Sequence, residues 1–272
     1  MDSKLVPLNP EAVMVMRKIT PDILICSVPF KRFGLINVGG RGTIVRMQNG
    51  SLAVFSPVAL TDAVRNSVRE MGEVKYITAL DNEHHIFLDP WHKEFPSAKI
   101  LGPEELAPKR KKQGKELPFA YLFKESEPSP RPTGIDEDFD REFECEYAYG
   151  HANKEVVVLH RPSKTMIQAD FLWNLPAHEQ MSKSGESGTH GFLTRMFAAI
   201  QTTSGSAIWQ KRLLWYAIAA QNRDAFNKSC ARIDAWDFDR IIPCHGDVIE
   251  TGGKGIFRKV MEWHLNAAKK QQ

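Results

Sequence analysis

The chain has 272 residues, of which 42% are hydrophobic and 25% are charged, and its formal net charge is +3. This composition is typical of a soluble globular protein and excludes a chain that is disordered throughout. The small net charge argues against a nucleic-acid-binding protein, and no apolar run reaches the ~18 residues that a membrane span requires. We expect one domain over residues 1–272 that acts on a small molecule and binds neither nucleic acid nor membrane.

Two further features favour a cytoplasmic protein. The N-terminus lacks a cationic region followed by an apolar core, so no secretory signal is predicted. The four cysteines are scattered and form no Cys-x-x-Cys pair, which predicts reduced thiols rather than a disulfide framework.

Short β-prone runs and one clear helix make up the first part of the chain. Residues 1–20 predict an irregular lead-in or an edge element. Asn49-Gly50 favours a tight hairpin because both residues tolerate positive φ, so the strands beside it are expected to be antiparallel. Thr61 as N-cap and Gly72 as a stop delimit a helix. Strands are predicted at 23–28, 34–38, 43–47, 52–55, 74–79 and 99–101, and a short helix at 89–95.

Residues 107–138 are predicted to be a surface loop excursion. The cationic run at 109–112 is followed by three prolines, Pro128, Pro130 and Pro132, and by the acidic run at 136–138. The basic run could attract an anionic substrate or a nuclear import receptor, but the acidic run neutralises it. A solvated loop is the favoured interpretation.

A second β-rich half follows, with strands predicted at 143–149, 155–160, 165–169 and 240–244. Residues 190–236 carry apolar residues at helical spacing and predict a helical insertion, whose aromatic stripes are core packing in the first place. A closing helix is expected around Phe257 to His264.

Candidate ligands follow the ends of four predicted strands. These residues are His84 with His85, then His151, then Asp170, then His245. Loops at one edge of a sheet bring distant residues together, and zinc and other transition metals bind imidazole and carboxylate ligands, so the pattern indicates a metal site. His151 or His245 alone is more often a packed or surface residue, the His84-His85 pair alone fits a ligand or a structural role equally, and Asp170 has the alternative of a turn or helix-cap residue. The other five histidines are expected to be structural or exposed: His92, His160, His178, His190 and His264.

With these features in this order, the sequence resembles the metallo-β-lactamase superfamily. That family has five motifs at one sheet edge: an early Asp, Thr-His-x-His-x-Asp-His, Gly-His, an Asp after a strand, and a late Gly-His. The last four would fall on residues 79–85, 150–153, 168–170 and 243–247. The resemblance implies an α+β fold, a four-layer αββα sandwich with a helical insertion near the C-terminal part.

Departures from the family pattern imply one metal ion rather than two. On this alignment Leu80 and Asn82 replace the two histidines of the first metal, and His84-His85 replaces the Asp-His pair of the second. Ser56 or Pro57 stands where the early Asp is expected. The sequence is therefore similar to a divergent branch of the superfamily without settled activity.

The resemblance implies one divalent ion, expected to be zinc with iron or manganese as alternatives. Its predicted ligands are His84, His85, Asp170 and His245, with His151 as a further ligand or a proton-handling group. Because adjacent residues on a strand point to opposite faces, His84 and His85 can share an ion only where the backbone turns. Four protein ligands would be typical of a structural zinc site unless one ligand is loose.

The expected function is a metal-dependent hydrolase that cleaves a small acyl substrate such as an ester, lactone or thioester. The ion would lower the pKa of a bound water, and Asp170 and His151 would be the catalytic groups that orient the water or carry its proton. Phosphodiester cleavage in this superfamily usually uses two metals, so loss of one site disfavours nucleic acid as substrate. Two alternatives stay open: a non-catalytic scaffold of the same fold, and a metal-dependent oxidoreductase or lyase.

Overall fold

The structure is a computed structural model that describes residues 7, 9–125 and 133–270. Of the predicted lead-in, residues 1–6 and 8 lie outside the described residues, and so do residues 126–132 of the predicted excursion. In the part of the chain that is described, no helix is long and apolar enough to cross a membrane.

The first sheet has seven strands in the order β1-β2-β5-β6-β7-β8-β9. The pairs from β1 to β6 are antiparallel and those from β6 to β9 are parallel. The predicted Asn49-Gly50 hairpin joins β5 to antiparallel β6 and is confirmed. The strands are β1 (Val15–Thr20), β2 (Ile23–Val28), β5 (Gly40–Arg46), β6 (Leu52–Phe55), β7 (Val74–Thr78), β8 (Lys99–Pro103) and β9 (Phe119–Phe123).

A small hairpin interrupts this sheet between β2 and β5. It consists of β3 (Lys31–Arg32) and β4 (Ile36–Asn37), which pair only with each other. The sequence predicted a single strand at 34–38. Because Phe33 and Gly34 both adopt positive φ, the chain turns there and the predicted strand becomes one arm of the hairpin.

Helices cover the outer face of the first sheet. Helix α2 (Asp62–Met71) begins after Thr61, whose side-chain oxygen accepts a hydrogen bond from the Val64 amide, and ends before Gly72, so the predicted caps are confirmed. Val64 and Val68 of this helix are fully buried against the sheet. The other helices of this half are α1 (Pro10–Val13), α3 (Leu88–Glu94) and α4 (Leu106–Lys112).

The second sheet has four strands in the order β10-β11-β12-β13, and β12 and β13 are parallel. Its strands are β10 (Phe143–Ala148), β11 (Glu155–His160), β12 (Thr165–Gln168) and β13 (Arg240–Pro243). Most of the segment 190–236 lies in helices. The helices of this half are α5 (Glu137–Glu142), α6 (His178–Met181), α7 (Phe192–Ile200), α8 (Ile208–Leu213), a π-helical turn (Leu214–Ile218), α9 (Arg223–Ala235), α10 (Gly253–Val260) and α11 (Glu262–Lys269).

The two sheets face each other across a buried apolar layer. Phe55 of the first sheet and Phe143 of the second meet edge to face there, with ring centroids 5.3 Å apart. Residues of α9 and α10 pack on the other face of the second sheet. The order of layers is therefore helices, sheet, sheet, helices, and the predicted αββα sandwich is confirmed.

The described parts of the predicted excursion, residues 107–125 and 133–138, contain more regular structure than the sequence predicted. Its cationic run lies in helix α4, and β9 follows as the edge strand of the first sheet. Arg110 is 1% exposed because its guanidinium reaches the loop after β7 and Asp89 of α3. Interpreting this run as a solvated loop was wrong for Arg110, because a charge pattern does not show whether a partner lies beneath the helix.

Candidate metal centre

Three predicted ligands converge where the two sheets meet. Asp170 and His245 follow β12 and β13, whose parallel pairing places their carboxyl ends side by side. His84 follows β7 of the other sheet. One donor atom of each of these residues lies within 4.8 Å of the other two.

His84 is directed into this group by Asp81. The buried Asp81 carboxylate accepts hydrogen bonds from the backbone amides of Glu83 and His84, which bends the chain at the end of the strand. The same carboxylate lies 2.9 Å from Nδ1 of His84. Nδ1 therefore carries a proton and donates a hydrogen bond to Asp81. In a neutral ring, Nε2 then presents a lone pair.

The pKa of His84 combines opposing effects. Burial by itself lowers the pKa of an imidazole, but the nearby carboxylates of Asp81 and Asp170 outweigh it and raise the pKa of His84 well above its ordinary value. A cation at Nε2 is thus favoured, whether that cation is a proton or a metal ion.

His245 has the same arrangement with a different partner. Its Nδ1 donates a hydrogen bond to the Gly39 carbonyl at 2.6 Å, so its Nε2 also presents a lone pair in the neutral ring. Trp173 covers one side of the ring, with centroids 4.2 Å apart. Gly246 adopts a φ of 87°, and a Cβ there would lie 2.1 Å from the Asn174 carbonyl oxygen, so only glycine fits after His245.

The Nε2 atoms of His84 and His245 lie 3.1 Å apart. Two lone pairs at this distance repel each other unless a cation lies between them. A tetrahedral metal with bonds of 2.0–2.1 Å to nitrogen holds two such atoms about 3.3 Å apart. The observed separation fits a shared metal ion, and in the absence of metal it fits a shared proton.

Asp170 supplies the third donor. Its Oδ2 accepts a hydrogen bond of 2.6 Å from the Asn153 side chain, while Oδ1 is buried, lies 3.2 Å from Nε2 of His245 and has no aligned hydrogen bond. Burial raises the pKa of a carboxyl, but the neighbouring imidazoles of His84, His245 and His151 outweigh this and lower the pKa of Asp170. Asp170 is therefore ionised and has one free oxygen, as a metal ligand requires.

His151 lies beside this group but is not part of it. The ring is fully buried, its Nδ1 accepts a hydrogen bond from the Asn153 amide at 3.2 Å, and no hydrogen-bond partner of its Nε2 lies among the described residues. Burial lowers the pKa of His151, so the ring is neutral and its proton is on Nε2. Its predicted roles as ligand or catalytic group stay predictions.

The structure does not bring His85 to this group. Arg110 donates a hydrogen bond of 3.0 Å to Nδ1 of His85, and the buried ring has a pKa of about 4 because of desolvation and of the nearby Lys109 and Arg110. The bend at Asp81 turns His84 inward, and the next side chain points towards α4 instead. The prediction that both histidines share one ion is thus corrected.

Sequence reasoning missed the residues that hold the ligands in place. They are Gly39, Asp81 and Asn153, and Arg110, which bonds His85 away from the group, was missed as well. Only Asp81 carried a signal in the sequence, since an aspartate two residues before Glu83 and three before His84 has the spacing at which a carboxylate caps the following backbone amides.

The model of one protein family matches residues 32–183, which is more than half of the chain. The family is described as a domain of unknown function, DUF4336. The chain belongs to the DUF4336 family. The matched range includes His84, His151 and Asp170 and ends before His245. No curated protein matches this DUF4336 chain in sequence.

Several solved structures are similar in fold to the DUF4336 chain. DIM-1 metallo-β-lactamase exposed to ceftazidime matches with a TM-score of 0.55 at 16% identity, over 93% of this chain and 97% of that one. A metallo-β-lactamase from Pontibacter korlensis matches with a TM-score of 0.57 at 12% identity, over 93% of this chain and 99% of that one. A flavo-di-iron protein from Thermotoga maritima matches with a TM-score of 0.57 at 10% identity, over 92% of this chain and 62% of that one. This DUF4336 chain therefore has the metallo-β-lactamase fold, as the resemblance predicted.

Proposed function

We propose that this protein binds one divalent metal ion through His84, Asp170 and His245 and hydrolyses a small acyl substrate. The proposal depends on one observation, which is that the Nε2 atoms of His84 and His245 lie 3.1 Å apart. Their Nδ1 atoms already donate hydrogen bonds to Asp81 and to the Gly39 carbonyl, so only the Nε2 atoms can bind a cation. The free Oδ1 of Asp170 completes the donor set.

Three protein ligands favour a catalytic rather than a structural ion. Structural zinc sites use four protein ligands, whereas two histidines and one carboxylate leave a coordination position open. The same set of two histidines and one carboxylate also suits non-haem iron, which keeps the oxidoreductase alternative in place. Without His85 as a ligand, the proposed set has three protein ligands rather than the four that would be typical of a structural zinc site.

A single ion is supported by the loop after β7. If the family's Thr-His-x-His-x-Asp-His motif is placed on Thr78, its last histidine falls on His84, one position earlier than the sequence alignment predicted. Ala79 and Asp81 then stand at the positions of the first two histidines, and Asp81 is already bonded to His84. Without a second ion, an ester, lactone or thioester is a better substrate than a phosphodiester.

The residues around the site suit acyl hydrolysis. A divalent ion held there would act as a Lewis acid and lower the pKa of a water molecule. Asn153 fixes the Asp170 carboxylate, which would orient the attacking water by accepting its hydrogen bond. His151 is neutral and carries its proton on Nε2, from which it would donate to charge developing on the substrate. Trp173 would exclude bulk water from one side of His245.

The experiment is a metal analysis joined to a hydrolysis assay. We expect the purified protein to contain one zinc ion per chain and to hydrolyse a chromogenic ester, a lactone or a thioester. His245→Ala should lose both properties, whereas His190→Ala, which removes an exposed histidine, should keep both.

Two results would overturn the proposal. A protein without stoichiometric metal, in which His245→Ala leaves stability unchanged, would be a scaffold of the same fold. Stoichiometric iron without acyl hydrolysis would favour the oxidoreductase or lyase alternative.

A further inference from the structure

Gly39 and the first residues of β5 contact the loop that carries His245 at four points. The loop consists of residues 243–246, and we call it the His245 loop. The contacts are from His245 Nδ1 to Gly39 O (2.6 Å), from a terminal nitrogen of Arg41 to Pro243 O and Gly246 O (both 2.7 Å), and from Cys244 Sγ to Arg41 O (3.3 Å).

Arg41 makes the central contacts, and its environment explains why a charged residue is tolerated there. The residue is 2% exposed. Its Nε donates to Ser27 Oγ at 3.0 Å, and its second terminal nitrogen lies 3.4 Å from Glu179. Ser27 donates to the same Glu179 carboxylate, and Arg17 donates to its other oxygen. A buried guanidinium is stable only when it is paired and hydrogen-bonded in this way.

The two histidines of the proposed metal site come from different sheets. His84 follows β7 of the first sheet, and His245 follows β13 of the second. The 3.1 Å between their Nε2 atoms therefore depends on how the His245 loop is placed against the first sheet. Arg41 lies in β5 of the first sheet and binds a carbonyl on each side of His245.

Gln180 of α6 supports the same loop from another direction. Its side-chain nitrogen donates to Cys244 O at 2.7 Å, and its side-chain oxygen accepts from the Gly246 amide at 2.9 Å. Arg41 and Gln180 together bond the backbone at three of the four loop residues, and neither belongs to the group of donor atoms at the site.

We infer that Arg41 is a positioning residue, which sets the place of His245 relative to His84 and thereby the affinity of the site for its metal. The inference rests on the proposed metal site. Its physical basis is that partners of metal ligands fix ligand orientation, and loss of such a partner commonly weakens metal binding by about 10–100-fold.

The test is Arg41→Lys, with zinc affinity measured by competition against a chromogenic chelator. Lysine keeps the positive charge, but one ammonium group cannot reach both loop carbonyls, Ser27 and Glu179 in the geometry of the guanidinium. We expect zinc to bind about 10–100-fold more weakly while one ion per chain still binds at high zinc. In the cobalt-substituted protein, the ligand-field spectrum should shift, because the coordination geometry changes.

Arg17→Lys is the matched control. Arg17 bonds the outer oxygen of the same Glu179 and has no bond to the His245 loop, so its change should leave zinc affinity and the cobalt spectrum as in the native protein. A purely structural role for Arg41 would lower stability and leave the affinity and spectrum of the folded fraction unchanged, and that result would overturn the inference.

Other outcomes also decide between the two proposals. Native protein that binds no metal would refute the proposed function, and this inference with it, whereas tight binding in Arg41→Lys would refute the inference alone. If Arg41→Lys does not fold, Ser27→Ala replaces it, because that change removes the acceptor of Nε and the hydrogen bond from Ser27 to Glu179 but keeps the guanidinium of Arg41. A smaller loss of affinity is expected there, and unchanged affinity would overturn the inference.

Discussion

The proposed metal site and the surroundings of His160 both combine buried imidazole with carboxylate, but they differ in what the ring nitrogens face. His160 has Ser163 Oγ 2.7 Å from Nδ1 and the Glu142 carboxylate 3.5 Å from Nε2, without an aligned hydrogen bond to Nε2. At the proposed site, each histidine is anchored through Nδ1, and the two Nε2 atoms face each other. The comparison teaches that two imidazole nitrogens converging on one point, rather than contact with a carboxylate, distinguish a candidate ligand histidine from a structural one.

The largest expected difference in metal binding is between a variant that removes a proposed ligand histidine and one that removes the structural His160. His84→Ala should abolish stoichiometric metal binding, because only two donors of the group would remain. His160→Ala should keep the metal and destabilise folding by about 2 kcal/mol, since it removes buried packing against Phe143 and the contact with the Glu142 carboxylate. Elemental analysis and urea unfolding of both variants measure this contrast, and loss of metal from His160→Ala would contradict it.

The next largest difference in zinc affinity is expected from the carboxylates beside His84 and His160, which are those of Asp81 and Glu142. Asp81→Asn removes the negative charge that fixes the His84 tautomer and should weaken zinc binding by about 10–100-fold. Glu142→Gln makes the corresponding change beside His160 and should leave zinc affinity unchanged. Chelator competition measures both, and equal affinities in the two variants would show that Asp81 does not act through His84.

The positions of most strands along the chain and three of the residues that converge at the proposed site could be predicted from the sequence. Apolar runs and turn residues show where strands end, and strand ends are where Asp170 and His245 lie. The different fates of His84 and His85 could not be predicted, because they depend on the hydrogen bonds of Asp81 and on Arg110 beneath the loop. The Asp81 bonds are local and have a recognisable spacing, but the contact of Arg110 with His85 depends on tertiary packing, which neither hydrophobic periodicity nor charge pattern records.

A third buried histidine sharpens the comparison through pH. His264 Nδ1 lies 2.7 Å from the Asn227 side-chain oxygen, no carboxylate is among its partners in the described chain, and burial together with Arg223 lowers its pKa to about 4. Because the folded pKa lies below the unfolded value of about 6.5, the stabilising contribution is present above pH 6.5 and is lost as the pH falls towards 4.

This loss amounts to about 2 kcal/mol between pH 7 and pH 5. His264→Gln can still donate to Asn227 but does not titrate, so its free energy of unfolding should fall less over the same interval. Urea unfolding of both proteins at the two pH values gives the difference. Identical pH dependence would mean that His264 is not the titrating group.

The smallest expected effect is at His85, next in sequence to the proposed ligand. His85→Asn keeps an acceptor for the Arg110 hydrogen bond, and His85 is outside the group of metal donors, so zinc affinity should change by no more than about twofold. The same titration on His84→Asn should show no stoichiometric binding. If His85→Asn lost the metal instead, His85 would be a ligand after all, and the bend at Asp81 would have to present both rings to one ion. The two adjacent histidines therefore test whether hydrogen bonds to Nδ1, rather than position at a strand end, decide which imidazole binds.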